Sequence, residues 1–349
     1  MRYRLLGSSG LRVAEISLGT MTFGEEWGWG TAKDESRKIY NAYREAGGNF
    51  IDTANLYTVG SSETFVGEFV RGHREEMVIA TKYTNAAPGN DANAAGNHRK
   101  SMVQAVEASL KRLGTDYIDL YWLHVWDGIT HVDEVMRVFD DLVRQGKILY
   151  AGVSDAPAWW VAQANTIADL KGWTRFVGLQ IEYSLLERTV ERELIPMAGA
   201  LGLTVVAWSP LKGGILSGKY NAASSGEAGG SEQHRFASEM MQGFLPAKER
   251  QDRVVAVLKD VSVQTGRPPA QVALAWLRTR PVPVIPIIGA RRMSQFEDNL
   301  ASLTLELTPE QVEALDAASA VDLGFPQELF AMELPAAFRY GGMKGKILA

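Results

Sequence analysis

Four side chains in the first part of the chain have types and spacing that suit proton chemistry. The stretch NFIDTANLYTVGSSE starts with apolar Phe50 and Ile51, then gives Asp52, with Tyr57 five positions later. MVIATK ends in Lys82 and IDLYWLH ends in His124. An ordinary phenol ionises near pH 10; a neighbouring ammonium favours the phenolate, at about 1.4 kcal/mol per pKa unit. A carboxylate paired with that lysine would hold it in place and keep it charged. A tyrosine tuned in this way can give a proton to a developing alkoxide or take one from an alcohol. An imidazole N–H beside it can orient a carbonyl oxygen and stabilise its charge. The set suits carbonyl reduction but holds no hydride, so a cofactor would have to supply one.

Each residue alone has a plainer explanation. An aspartate at a strand end commonly caps a turn, a loop tyrosine packs its ring and wets its hydroxyl, and a rim lysine is solvated. A histidine there is more often structural. Two other chemistries use the same residues. Lys82 could form a Schiff base, as in an aldolase, or Asp52 and His124 could ligate a metal. The metal reading is the weaker, because the five histidines form no H-x-H or H-E-x-x-H pair. No metal is expected.

What brings the four together is the element pattern. Short apolar runs occur at Ile16–Gly19, Asn49–Ile51, Met77–Thr81, Ile118–Leu123, Ile148–Val153, Val177–Ile181, Leu203–Ala207 and Val282–Ile288. Helical periodicity lies between most of them: Ile39, Ala42, Tyr43 and Ala46 in 33–46, Met102, Val103, Val106, Leu110 and Leu113 in 100–113, and Val135, Val138, Phe139 and Leu142 in 132–143. Glycines in EAGGN and RQGK stand where such helices stop. Eight strand–helix units are the number that closes a (β/α)8 TIM barrel, and runs that are apolar throughout fit parallel strands covered on both faces. An open doubly wound sheet is the main rival, but the first strand is followed by TMTFGEEWGWG rather than G-x-G-x-x-G. In a barrel, Asp52, Lys82 and His124 end three consecutive strands at one rim, the rim that carries function.

The 349 residues are therefore expected to form one domain, residues 1–349. An N-terminal β-hairpin (1–15) turns on Gly7 to Gly10, a long Gly- and Ser-rich loop follows strand seven (212–247), and a C-terminal tail (319–349) lies outside the repeat. The tail aromatics Phe325, Phe330, Phe338 and Tyr340 are expected to pack on something. A net charge of −5 disfavours nucleic acid or an anionic membrane as the main partner. The absence of cysteine excludes disulfides and thiol chemistry. No apolar run reaches the ~18 residues of a membrane span. The default expectation is a soluble, cytoplasmic protein with a small-molecule partner, with room for a homo-oligomer.

A cofactor needs phosphate donors and a flat partner for a ring. AWSPLKGGILSGKY offers Trp208 and a glycine-containing run whose N–H groups suit a pyrophosphate. IIGARRMSQFEDNL puts Gly289, Arg291 and Arg292 at a helix start, a natural anion site. Both follow the last two strands, where barrel phosphate sites are frequent. Trp27, Trp29 and Trp126 follow strands one and four and could wall an apolar substrate pocket; ordinary loop packing accounts for them equally well.

The chain resembles the aldo-keto reductase superfamily through YRLLGSSGLRVAEISLGTMTFG, GGNFIDTANLYTVGSSETFVGEF, TKY, SLKRLGTDYIDLYWLH, QGKILYAGVSD, LQIEYSLLER, VVAWSPLKGGILSGKY and PIIGARRMSQFEDNL, over about residues 1–318. It looks closest to the branch of bacterial aldehyde reductases and potassium-channel β-subunits. The resemblance implies a catalytic tetrad: Tyr57 as general acid, Lys82 tuning it, Asp52 holding Lys82 and His124 orienting the carbonyl. It implies NADPH/NADP+ as cofactor. Ser154 and Gln180 would bind the carboxamide, Trp208 would lie against the ring, and Ser209, Leu211 and Gly213 would line the pyrophosphate. Gly289, Arg291, Gln295, Asp298 and Asn299 would hold the adenosine end. Asp155 stands where many relatives carry asparagine, and a carboxylate cannot make every bond of an amide. Arg291 argues for a 2′-phosphate, hence NADPH over NADH. The expected activity is reversible reduction of an aldehyde or ketone; the alternative is a cofactor-sensing binding module with slow turnover, like a channel β-subunit.

Overall fold

The computed structural model describes residues 1–87, 89–218 and 247–347. The N-terminal segment pairs β1 (Tyr3–Leu5) with β2 (Arg12–Ala14) as an antiparallel hairpin. Eight further strands follow: β3 (Ser17–Gly19), β4 (Phe50–Asp52), β5 (Val78–Tyr83), β6 (Ile118–Leu123), β7 (Ile148–Ser154), β8 (Phe176–Glu182), β9 (Thr204–Trp208) and β10 (Val284–Ile288). They form a closed barrel in the order β10-β3-β4-β5-β6-β7-β8-β9, with β10 parallel to both β9 and β3. Every residue of β5 and β6 is buried, because helices cover the outside and side chains fill the inside.

Helices α1 (Lys33–Glu45), α2 (Ser61–Phe69), α3 (Arg99–Leu113), α4 (Val132–Arg144), α5 (Ala158–Lys171) and α6 (Leu194–Leu201) alternate with the strands. Past residue 246 come α7 (Lys248–Thr265), α8 (Pro269–Leu277), α9 (Met293–Leu300) and α10 (Pro309–Ser319). The periodic residues face inward as expected in α4, which buries Val135, Val138, Phe139 and Leu142. In α3, Met102, Val106 and Leu113 are buried, but Val103 is not. It sits on the edge of the apolar stripe.

Two features fix which end of the barrel is open. The hairpin closes the N-terminal end: the Gly7 N–H donates to Thr204 Oγ1 at 2.7 Å, and a Cβ on Gly7 would overlap the Val177 carbonyl. Gly7 also has a φ of 58°, so both space and backbone require glycine. Inside the barrel, the fully buried Trp122 spreads over Gly152 and Gly178 of the next two strands. A Cβ on Gly178 would come 2.8 Å from the indole, and one on Gly152 closer still. Side chains two residues further along a strand share a face, so the indole lies directly beneath His124, Ser154 and Gln180.

Most of the 212–247 loop, residues 219–246, lies outside the described residues. The tail is corrected. It forms α11 (Gln327–Ala331) and α12 (Glu333–Arg339), yet Phe325, Phe330 and Phe338 remain 83%, 54% and 78% exposed, and Tyr340 also stays on the surface. It is held by exposed contacts such as the Gln327 amide, which donates to the Arg192 carbonyl at 2.9 Å, and the Arg339 guanidinium, 5.3 Å from the Phe330 ring centroid.

Candidate active site

The ends of β4 to β9 converge on the open mouth. The Lys82 ammonium, fully buried, donates to Asp52 Oδ2 at 2.5 Å, to the Thr53 carbonyl at 2.8 Å and to the Tyr57 hydroxyl at 3.0 Å. It also lies 4.6 Å from the Tyr57 ring centroid. Burial pulls the ammonium pKa down, but Asp52 and Tyr57 outweigh it and hold it above the ordinary lysine value. The lysine is therefore a fixed cation and not a free amine, which argues against a Schiff base. The other Asp52 oxygen accepts the Gln180 amide at 2.7 Å. Both carboxylate oxygens are thus engaged within the protein, a poor arrangement for a metal ligand.

Tyr57 is carried by an unusual turn. Thr58 and Val59 have φ values of 45° and 55°, a left-handed region that costs β-branched residues of order 1–3 kcal/mol each. The buried Thr58 hydroxyl anchors the turn by donating to the Phe23 carbonyl at 2.6 Å. The turn sets the Tyr57 ring edge-on to His124, with centroids 6.0 Å apart. Burial, with the Lys82 charge added, pushes the His124 imidazole well below its ordinary pKa. It is neutral at pH 7, with one N–H to donate, and its Nδ1 is shut off from solvent with no hydrogen-bond partner among the described residues. Tyr57, Lys82 and His124 leave a place where a carbonyl oxygen meets an acid and a second donor.

Trp27 and Trp29 are stacked at a tilt, 5.5 Å apart, and Trp27 presents an edge to Tyr57 at 6.4 Å. Trp126 packs edge-on against Trp159 at 5.8 Å. All three expected indoles stand at the mouth, joined by Trp159, which no sequence pattern singles out.

The residues expected to hold a cofactor fall into two groups. Ser154 ends β7, Gln180 lies in β8 and Trp208 ends β9, on the side of the mouth facing Tyr57. Asp155 has a φ of 43°, and its Oδ1 accepts the Trp208 indole N–H at 3.1 Å. Surrounding protein pushes its carboxyl up to about 6, against the indole bond and with help from Glu182. The side chain nonetheless opens onto the mouth, where water screens part of that shift. After Trp208, positive φ values at Ser209, Lys212, Gly213 and Gly214 fold residues 209–214 into a compact turn. The buried Lys212 is tied there to Glu182 Oε1 at 2.7 Å.

The helix start after β10 is less open than the sequence suggests. The Arg291 N–H is taken by Gln295 Oε1 and the Met293 N–H by Glu35 Oε1, both at 3.0 Å. Asp298 Oδ1 accepts the Gln271 amide at 2.8 Å, and Asn299 is buried. Gly289 opens the turn, exposed at the rim. Among the described residues the Arg291 guanidinium forms no ion pair. An anion here would be held by that side chain more than by the helix N-terminus.

The sequence gives no sign of a cluster in which buried Glu63 and Thr81 meet the half-buried Arg112. The Glu63 carboxylate accepts the Thr81 hydroxyl and the Arg112 guanidinium, each at 2.6 Å, and pins α2 behind the Tyr57 turn. Asn97 and Asp127 exchange side-chain to backbone bonds at 2.8 and 2.7 Å, clasping the loops after β5 and β6. No local sequence signal marks either pairing.

Comparison with known proteins decides the family. The family model described as the aldo/keto reductase family matches residues 15–320. The chain belongs to the aldo/keto reductase family. Members of that family work with NADP(H), and the chain is an oxidoreductase of that class. It is 39% identical over 337 residues to a norsolorinic acid reductase of Emericella nidulans, covering 94% of this chain and 83% of that protein. It is 38% identical over 348 residues to an NADP(+) aryl-alcohol dehydrogenase of Phanerodontia chrysosporium, covering 94% and 89%. It is 35% identical over 344 residues to a putative aryl-alcohol dehydrogenase of Saccharomyces cerevisiae, again covering 94% and 89%. No helix among the described residues of this reductase is long and apolar enough to cross a membrane.

Proposed function

We propose that this reductase uses NADPH to convert aromatic aldehydes or ketones to alcohols, reversibly, with Tyr57 as general acid. The carrying observation is the buried Lys82 ammonium, 2.5 Å from Asp52 and 3.0 Å from the Tyr57 oxygen. Bound NADPH would supply a hydride with its electron pair to the carbonyl carbon. Tyr57 gives its proton to the carbonyl oxygen, so the products are alcohol, phenolate and oxidised cofactor. Lys82 stabilises the phenolate until solvent returns the proton. Asp52, braced by Gln180, fixes Lys82, and the neutral His124 donates its N–H to the same carbonyl oxygen. General acid catalysis of this kind contributes about 10²–10⁴-fold.

The residues fit the cofactor. Gln180 spends its amide nitrogen on Asp52 and keeps its oxygen for a carboxamide, which the Ser154 hydroxyl would also bind. The Trp208 face suits the ring, the 209–214 turn with Leu211 and Gly213 suits the pyrophosphate, and Arg291, in no ion pair among the described residues, suits a 2′-phosphate. Gln295, Asp298 and Asn299 would line the adenosine end. The indoles of Trp27, Trp29, Trp126 and Trp159 support an aromatic substrate, as do the names of the two aryl-alcohol dehydrogenase relatives. The proposal takes residues 1–349 as one catalytic domain of a cytoplasmic protein.

The test is NADPH consumption with substituted benzaldehydes. Turnover is expected with NADPH, slower with NADH, and at least about 100-fold lower in Tyr57→Phe. Undiminished turnover by Tyr57→Phe would remove the assigned mechanism. Tighter binding of NADH than NADPH would remove the role of Arg291.

A further inference from the structure

Asp155 puts a negative charge where a neutral amide would serve a carboxamide at least as well, so the charge itself asks for a reason. The residue is held from several sides. Its N–H donates to the Gln180 carbonyl at 3.3 Å, and its carbonyl accepts the Trp126 N–H at 3.2 Å. Its backbone is left-handed, a conformation aspartate tolerates better than most residues. Its carboxylate takes the Trp208 indole N–H at 3.1 Å. The charge is therefore fixed on the wall formed by the ends of β7, β8 and β9, across the mouth from the Tyr57 turn that follows β4. A nicotinamide that passes hydride to a carbonyl held by Tyr57 has to lie between those two walls. That ring is neutral when reduced and carries a positive charge when oxidised. A fixed carboxylate distinguishes the two forms; an amide does not.

We infer that Asp155 makes the site prefer the oxidised, cationic nicotinamide over the reduced one, so that NADPH bound here is a stronger hydride donor than it is free. The inference rests on the cofactor site proposed above.

The charges facing Asp155 leave it as the group that titrates. Glu182 of β8 is paired with Lys212 of the turn after β9. Lys82 of β5 stays an ammonium between Asp52 and Tyr57. His124, at the end of β6, stays neutral. Ser154 and Trp208 bring no charge. In the free protein the carboxyl of Asp155 is raised to about 6. An oxidised ring pulls it down, and a reduced ring does not. By linkage, the preference for NADP+ over NADPH grows as pH rises through this range. One unit of difference between the two complexes changes the ratio of dissociation constants about tenfold. The 2′-phosphate titrates nearby but is common to both forms and cancels in the ratio.

The experiment is titration of the full-length protein with NADP+ and with NADPH, followed by tryptophan fluorescence, from about pH 5 to about pH 8. In the wild type, Kd(NADPH)/Kd(NADP+) is expected to rise about tenfold across the range; in Asp155→Asn, which keeps an acceptor for Trp208, it is expected to stay flat within about twofold. Asp155→Ser replaces it should the asparagine variant fail to fold. A flat wild-type ratio, or the same rise in the variant, overturns the inference and leaves the cofactor site standing. Failure of the wild type to bind either form overturns the site and the inference together.

Discussion

At the scale of single residues, Lys82 is the group on which the others depend. Its side chain has no exposure, and its three donors go to Asp52, Thr53 and Tyr57. Lys82→Met removes the cation and leaves the Asp52 carboxylate buried with only Gln180 as partner. Breaking a buried pair from one side costs about 3–5 kcal/mol, largely because the surviving charge is stranded. Lys82→Met should therefore be both inactive and destabilised by about that much in denaturant unfolding. Adding Asp52→Asn should restore most of the stability and none of the activity. Recovery of activity in the double variant would mean that the pair is structural and that Tyr57 needs no ammonium beside it. The sequence shows this pair because three consecutive strands end in Asp52, Lys82 and His124, and strand ends in a barrel share a rim. It does not show the Gln180 brace, which joins residues 128 positions apart. The family resemblance implies Gln180 as a carboxamide ligand; in the structure one of its two polar atoms is already spent on Asp52.

At the scale of elements, the strand ends are held at their height by what lies beneath them. Trp122 fills the barrel under His124, Ser154 and Gln180, and it fits because β7 and β8 carry glycine beside it. An added methyl at Gly152 meets the rigid indole, with no flexible chain end to yield. Overpacking of this kind costs typically 1–3 kcal/mol. Gly152→Ala should lower stability by that amount and weaken cofactor binding as well, because Trp122 supports the strand ends that carry Ser154 and Gln180. Gly10, by contrast, has open space within 4 Å of where a Cβ would stand and no positive φ, so Gly10→Ala serves as the neutral control. Equal effects of the two substitutions would deny Trp122 its place under the site. The strands themselves were legible, within a residue or two at most ends, from apolar runs and glycine stops. The helix start after β10 was not. Its anion site looks open in GARRMSQ, but Glu35, distant in sequence, takes the Met293 N–H. Local pattern carries no trace of a cap that arrives from another element.

At the scale of the whole molecule, the question is where the folding unit ends. α10 is riveted to the barrel. Arg188 donates to the Asp316 carbonyl and the Ser319 hydroxyl at 2.9 Å, and Arg280 and the Trp276 indole both reach the Asp316 carboxylate, at 2.8 and 2.9 Å. Arg250 and Arg253 bind the carbonyls of Ser319, Ala320 and Ala318 at 2.7 to 3.0 Å. Beyond residue 320 the character changes. The tail aromatics, expected from sequence to pack on something, are on the surface, and the polar contacts are exposed. Aromatic content marks a segment able to bury area, not one that has done so. A chain ending at residue 321 should therefore fold, with stability within about 1 kcal/mol of the full chain, as exposed contacts are worth little each. A chain ending at residue 308 should be strongly destabilised, because Arg188, Arg280 and the Trp276 indole all lose partners while largely buried. Thermal unfolding of the two truncations, read beside NADPH binding, separates the cases. If the longer truncation unfolds with the shorter, the tail packs on the barrel more firmly than its exposure allows, and residues 321–347 belong to the folding unit.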